Sequence, residues 1–324
     1  MEADPHCPVC GLHDWETVGA RTYSLDDVPR LNDYQARRYR VLFEVWFPGR
    51  DAVELESKLC RGCGFVTYTP RPTAQDVEAK YRYRPGGGGA AKPSPESAGE
   101  RARGEHILKY VRPYLKQQEA TVLDFGGGDG RLMTPFLAHG CRCSVIDYCE
   151  RPVPGVERLG DTLDVLAPDV RFDAVVCSHV VEHLAEPFGM LVHLRRHLAQ
   201  SGVLYCEVPM EIWRAAPLQD EPVTHVNFFT VDSLRYLLER AGYAVPTCRM
   251  TGYHHPSGGR ATVITALAIL GRDRHGYPPR SAAANTRRLL QPDLRMFARM
   301  LWIRPDLLIR FVRRRVAWTK ANSS

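Results

Sequence analysis

The sequence predicts an α/β protein in which a doubly wound sheet follows a small thiol-rich module and precedes a basic helical tail. Three observations carry that expectation. Two Cys-x-x-Cys pairs lie within the first 63 residues. A strand, a glycine-rich turn, a helix and a second strand follow one another between Thr121 and Asp147. Between these regions, Pro85–Gly104 holds four consecutive glycines and three prolines in twenty residues, the composition of a linker. The expected organisation is therefore a module over 1–84, a linker over 85–104, a core over 105–271 and a tail over 272–324.

At 324 residues, 44% hydrophobic and 25% charged, the chain can bury a sizeable core and is neither disordered nor collagen-like. The longest apolar run, Ala261–Leu270, is too short to cross a bilayer as a helix. The opening MEADPHCPVC lacks the basic-then-apolar order of a signal peptide, so a cytoplasmic location is expected. The formal charge of +6 divides unevenly. From Gly271 onward there are 13 Lys/Arg against 3 Asp/Glu, a net of +10, which leaves a body of −4. Basicity thus belongs to the tail, and the body does not present itself as a nucleic-acid surface.

In the module, Cys7-Pro-Val-Cys10 and Cys60-Arg-Gly-Cys63 are each followed by a glycine, which permits the tight turn of a metal knuckle. Two knuckles supply four sulfurs, the closed tetrahedral set of a structural zinc site, with His6 and His13 as available substitutes. In a reducing compartment, paired thiols read as ligands and not as disulfides. No coordination position is left open, so the expected role is folding. The long insertion between Cys10 and Cys60 must form structure of its own, and the alternation in Phe43-Glu-Val-Trp-Phe47 predicts a strand. A helix is expected over Ala74–Tyr81, and Tyr81 and Tyr83 are placed to close over a site.

In the core, a helix bearing Ile107, Leu108, Val111 and Leu115 precedes the strand Thr121–Phe125. Gly126-Gly-Gly-Asp-Gly130 follows, then a helix over Arg131–His139 and a strand over Cys143–Asp147. This is one βαβ unit, in which glycines let a ligand approach the backbone and the following helix offers free N–H groups. Asp147 ends its strand nineteen residues after Gly128, placed to accept hydrogen bonds from ribose hydroxyls.

Asp124, Gly126, Gly128 and Gly130 alternate, unlike the G-x-G-x-x-G dinucleotide pattern. The arrangement resembles the S-adenosyl-L-methionine site of class I methyltransferases, whose sheet is Rossmann-like. The resemblance continues through Gly160-Asp161-Thr162-Leu163, Arg171–Cys177 with Ser178–His183, Gly202–Pro209, and His225–Thr230 with Asp232–Gly242. It implies that Asp124 and the glycines hold the methionyl part and Asp147 the ribose. It places Asp161 and Thr162 near adenine and Ser178 at the cofactor edge. The Cys-x-x-Cys-Gly pairs leading through Pro70-Arg-Pro-Thr73 into such a core resemble bacterial sugar and natural-product methyltransferases.

Methyl transfer from a sulfonium is an in-line displacement that aligns a nucleophile and removes its proton. His179, Glu182, His183 and His225 are the catalytic candidates. A helix after Cys177 would put His179, Glu182 and His183 on one face at i, i+3 and i+4. Two readings stay open: one histidine is a general base for a hydroxyl, or His179, Glu182 and His183, joined by His225, hold a second divalent metal. The pattern is similar to the E-x-x-E-H metal motif of quinone-biosynthesis and small-RNA 2′-O-methyltransferases, with His179 replacing the first acid. His193 and His197 read as a solvated face beside Arg195 and Arg196.

The tail from Pro292 to Lys320 interleaves apolar residues with arginines and is expected as two helices broken at Pro305. Such a basic amphipathic stretch docks on a membrane surface or a protein, or packs against its own core. The expected function is O-methylation of a small-molecule or glycan acceptor, such as a sugar or secondary metabolite. The alternatives are RNA, C- or N-methylation, or a non-catalytic zinc-bearing adaptor.

Overall fold

The structure, a computed structural model, describes residues 5–83, 98–116, 119–149, 151–214, 217–218, 223–254, 260–271 and 278–291, with positions 294, 295, 298 and 301. The module is a three-stranded antiparallel sheet of β1 (Trp15–Ser24), β2 (Ala52–Cys60) and β3 (Val66–Thr69), in that order. Between β1 and β2 lies α1 (Asp33–Arg40), started by a reciprocal cap in which Asn32 and Gln35 satisfy each other's backbone N–H groups. The helix runs on through wider π-type turns over Val41–Trp46. This corrects the strand expected at Phe43–Phe47. The apolar residues there are adjacent enough to mimic alternation, but Val41, Leu42, Phe43 and Trp46 are buried together on the helical continuation.

After β3, α2 (Ala74–Arg82) is capped by Thr73 and Asp76. Residues 84–97 of the expected linker lie outside the described set, and its last part is helix. The helix α3 (Ala98–Val111) begins within the predicted linker and buries Arg103 and Gly104. Tertiary contact overrides composition here. A Cβ at Gly104 would stand 2.6 Å from Leu132 O, so the glycine serves close packing and not flexibility.

The core sheet contains β4 (Thr121–Phe125), β5 (Arg142–Ile146), β6 (Val156–Gly160), β7 (Phe172–Ser178), β8 (Leu198–Pro209), β9 (Tyr243–His254) and β10 (Arg260–Leu270). Their order is β6-β5-β4-β7-β8-β10-β9, parallel except where β10 runs against β8 and β9. The crossovers reverse direction at β4, which opens a crevice beyond its C-terminal end. Helix α4 (Thr134–Ala138) follows a short 3-10 turn over Arg131–Met133, a tighter start than the continuous helix expected. Helices α5 (Pro187–Arg196) and α6 (Val231–Arg240) complete the layers. His197, read from sequence as surface, is buried with Nδ1 3.0 Å from Val170 O.

One face of the sheet buries Val122, Val145, Val176 and Tyr205 against Ile107 and Val111 of α3 and Met133 and Phe136. The other buries Leu123, Val175, Leu204 and Ile264 against α5 and α6, and this core continues without a break into Leu55, Leu59, Phe65 and Tyr68 of the module. Helix α7 (Ala282–Leu290), the first part of the tail, is clamped on the second knuckle. Thr286 Oγ1 donates to Gly64 O at 2.7 Å, Asn285 Nδ2 to Asp232 Oδ2 at 2.7 Å, and Arg287 pairs with Glu16. Helix α7 thus ties the chain after Gly271 back to both the module and α6. The two helices expected over 292–320 fall almost wholly outside the described residues. No helix among the described residues is long and apolar enough to cross a membrane.

Gly64 has φ +73°, and a Cβ there would lie 2.6 Å from Ala282 O. Gly64→Ala is expected to unseat α7 and cost about 1–3 kcal/mol in denaturant unfolding. Proteolysis should then cut first within α7.

Candidate active site

The turn after β4 is shaped by what its glycines lack. A Cβ on Gly126, at φ +71°, would lie 2.5 Å from Val180 Cγ2, and one on Gly127 would fall 2.0 Å from the Asp124 carboxyl. The turn can thus close on both its own strand and the segment following β7. Gly128 N donates to Asp147 Oδ2 at 2.9 Å, and Asp147 N donates to Gly160 O at 3.0 Å. These bonds bring the ends of β4, β5 and β6 to one rim.

Asp124 is fully buried, and its Oδ2 has no hydrogen-bonding partner. Burial, reinforced by the charges of Asp147 and Asp129, pushes its carboxyl up to about 7. Asp161 is exposed and pairs with Arg158, while Thr162 Oγ1 donates to Asp164. Ser178 is drawn to the other side of the crevice, where it donates to Glu207 Oε1 at 3.3 Å.

The segment after β7 is not the helix expected. His179 stands at φ +59°, an uncommon conformation for a non-glycine residue, and only Val181–His183 makes a single 3-10 turn. His179 therefore leaves the common face predicted for it. Its Nδ1 is 3.2 Å from Glu182 Oε1, and its Nε2 lies 3.1 Å from the Tyr253 hydroxyl and 3.4 Å from Glu207 Oε1. The set with ion-binding dimensions is instead Glu182, His183 and His225, whose donor atoms lie within 4.8 Å of one another.

Both histidines are oriented from behind. His183 Nδ1 is 2.7 Å from Thr224 O, which as a carbonyl only accepts, so the proton sits on Nδ1 and the Nε2 lone pair faces Glu182 at 3.9 Å. Burial holds His183 down at about 4. His225 Nδ1 is 2.8 Å from Glu211 Oε2; burial opposes its charge, but the Glu211 carboxylate outweighs that and raises it above the ordinary histidine value. Glu182 is completely buried and neither carboxylate oxygen has an aligned hydrogen-bond donor. Burial pushes it up, yet the imidazoles of His179, His183 and His225 hold it below the usual glutamate value.

Several residues of the site had no sequence motif. Glu207, fully buried in β8, accepts from Arg103, Tyr205 (2.7 Å), Ser178 and Thr265 (3.3 Å). Its signal was legible as one acid inside the apolar run Gly202–Pro209. Arg103 lies 3.9 Å over the Tyr253 ring, and its buried Nη1 has no partner. Tyr81 of α2 stacks on Tyr148, which follows Asp147, with rings 6.3 Å apart and 21° from parallel. Tyr83 instead donates to Glu44 within the module.

At the knuckles, Cys7 Sγ and Cys63 Sγ are 3.6 Å apart, and Cys10 Sγ and Cys60 Sγ 3.5 Å. Four sulfurs about 2.3 Å from one tetrahedral ion would stand roughly 3.8 Å from each other, so the set has the right size. Burial pushes the Cys7 thiol well above its ordinary range, so a thiolate there needs a cation. His6 and His13 pack against each other, with ring centroids 5.3 Å apart, and are outside the sulfur set.

Residues 99–247 match the family described as Methyltransferase domain. A ubiquinone biosynthesis O-methyltransferase of Rickettsia felis is 26% identical over 111 residues, covering 31% of this chain and 46% of the relative. Its namesake in Cereibacter sphaeroides is 32% identical over 97 residues, covering 26% and 39%. The chain thus spans less than half the length of the curated relatives it matches. Among solved structures, the 1,6-didemethyltoxoflavin-N1-methyltransferase of Burkholderia thailandensis is 19% identical with a TM-score of 0.42, covering 54% of this chain and 80% of that one. Residues 99–247, the stretch that matches the Methyltransferase domain family, thus lie on a doubly wound sheet joined to a four-cysteine module.

Proposed function

We propose that the chain is an S-adenosyl-L-methionine-dependent methyltransferase that acts on a hydroxyl of a small-molecule acceptor, such as a sugar, glycan or secondary metabolite. The observation that carries this reading is Asp124, a buried carboxyl with an orphaned oxygen at a glycine cradle that is bonded to Asp147 through Gly128 N and packed on Val180, next to His179. When bound, the cofactor supplies a sulfonium methyl group for in-line displacement. Asp124 and the Gly126–Gly130 backbone would hold its methionyl part, and Asp147 its ribose. Asp161 and Thr162 lie at the rim for the adenine end, next to Gly160. The orphaned Nη1 of Arg103 is suited to a carboxylate.

His183 is neutral at physiological pH and offers a lone pair beside a buried carboxylate, so it would accept the acceptor's proton while Glu182 stabilises the imidazolium formed. The relatives' printed names support oxygen as the nucleophile. The four thiols suit a structural zinc ion. A second reading is favoured by the spacing of Glu182, His183 and His225: with each Nδ1 tied back, the three would hold a divalent ion that lowers the acceptor's pKa.

Calorimetry with S-adenosylhomocysteine should show binding to the parent and a loss of about tenfold or more in Asp147→Ala; no binding to the parent would sink the proposal. Metal analysis should find one zinc per chain, lost in Cys7→Ser with Cys60→Ser. A second ion that disappears in His225→Ala would select the metal reading, and its absence the general-base reading.

Asp124 also makes a stability prediction. An acid whose folded pKa lies above its unfolded value destabilises the fold as pH rises, beginning near pH 4 and reaching its full cost above about 7. Asp124→Asn should therefore be more stable than the parent at pH 8, by up to about 4 kcal/mol, and lose that advantage near pH 4. The same variant should bind S-adenosylhomocysteine more weakly.

A further inference from the structure

The segment carrying His225 belongs structurally to the cysteine module as much as to the methyltransferase sheet. Residues 223–228 form no strand of the seven-stranded sheet. They hang on β3 instead: Val66 N donates to Phe228 O at 3.1 Å and Phe228 N to Val66 O at 2.9 Å, an antiparallel bridge. Thr67 Oγ1 donates to Val226 O at 2.8 Å. Phe65 packs on Phe229, and Tyr68 on Phe228.

Two buried basic side chains from the same module finish the attachment. Arg71, held between Pro70 and Pro72, donates from Nη1 to Val226 O at 3.0 Å and from Nη2 to Ala185 O at 3.0 Å and Asn227 Oδ1 at 2.7 Å. It thereby joins the 223–228 segment to the chain that leaves the Val181–His183 turn. Lys80 Nζ donates to Val223 O at 2.9 Å and Thr224 O at 3.2 Å, and Thr224 O is the group that orients His183. The circuit closes when Val226 N and Asn227 N donate to Glu182 O at 2.9 and 3.0 Å. The glycine turn meets this circuit only by packing, Gly126 lying against Val180, while Gly126 N is bonded to Ile146 O within the core sheet.

We infer that the cysteine module is a working part of the active site: Arg71 and Lys80 are positioning residues that set Glu182, His183 and His225 in register, through hydrogen bonds that do not pass through the glycine turn. A guanidinium suits Arg71 because its rigid planar fork aims donors at acceptors from two separate segments, whereas the Lys80 ammonium meets two neighbouring carbonyls of one segment as a compact charge. The inference rests on the proposed catalytic role of those three residues, but the attachment itself is measurable without an acceptor.

The test is amide hydrogen exchange with S-adenosylhomocysteine calorimetry on the full chain. In Arg71→Met, the amides of residues 226–228 should exchange about tenfold faster or more, while residues 122–130 keep parental protection and the ligand's affinity is unchanged. Arg71→Lys should recover part of the protection, and Lys80→Met, which removes the donor to Val223 O and Thr224 O, should also speed exchange at 226 and 227, to a smaller extent. If Arg71→Met does not fold, the Arg71→Lys and Lys80→Met variants give the same reading. Parental protection at 226–228 in all three variants would overturn the inference. So would loosening that spreads equally to the glycine turn, which marks a general loss of stability. Failure of the parent to bind S-adenosylhomocysteine would count against the proposed function and leave the exchange result to judge the attachment.

Discussion

Two buried carboxylates with orphaned oxygens, one on Asp124 at the end of β4 and both on Glu182 just beyond β7, set the terms for the rest of the molecule. A charge in that position is tolerated only if surroundings are held rigidly enough to offer cations or ligand donors in its place. Around Glu182 the answer is three imidazoles. Around Asp124 the protein offers no donor to one oxygen, and the carboxyl rises towards neutrality. The packing of the glycine turn on the segment after β7 depends on Gly126, since any side chain there would strike Val180.

Rigidity is supplied from two sources. The parallel strands β4, β5 and β7 fix the cofactor side through their own ladder. The acid–imidazole side has only one 3-10 turn and an irregular segment, so its backbone groups must be satisfied from elsewhere. The module satisfies them with β3, Arg71 and Lys80, and the apolar core shared between module and sheet keeps those donors in place. Helix α7 closes the arrangement by packing Thr286 on Gly64 of the second knuckle.

Much of this was legible beforehand because short-range chemistry determined it. The βαβ unit followed from the run Thr121–Asp147, and the four cysteines from two glycine-terminated knuckles; both are local patterns with few alternative structures. Expectations failed where a distant contact outweighed the local signal. Phe43–Phe47 alternates like a strand but buries its aromatics on a helix, and Ala98–Gly104 has linker composition but packs against the turn before α4. His179 kept its place near the site and lost its predicted face, because the chain turns through φ +59° instead of entering a helix.

The sequence by itself determined the candidate chemistry: an acid and glycines at a turn suited to a nucleoside-bearing ligand, His179, Glu182, His183 and His225 as candidates for proton or ion work, and four thiols at the spacing of a metal site. Those are choices of residue type and close spacing, which the chain states directly. Only the tertiary structure decided that Arg71, Lys80, Arg103, Glu207 and Tyr253 join the site. Each acts through a hydrogen bond to a partner more than seventy residues away, and no local pattern records a contact made only when separate layers pack.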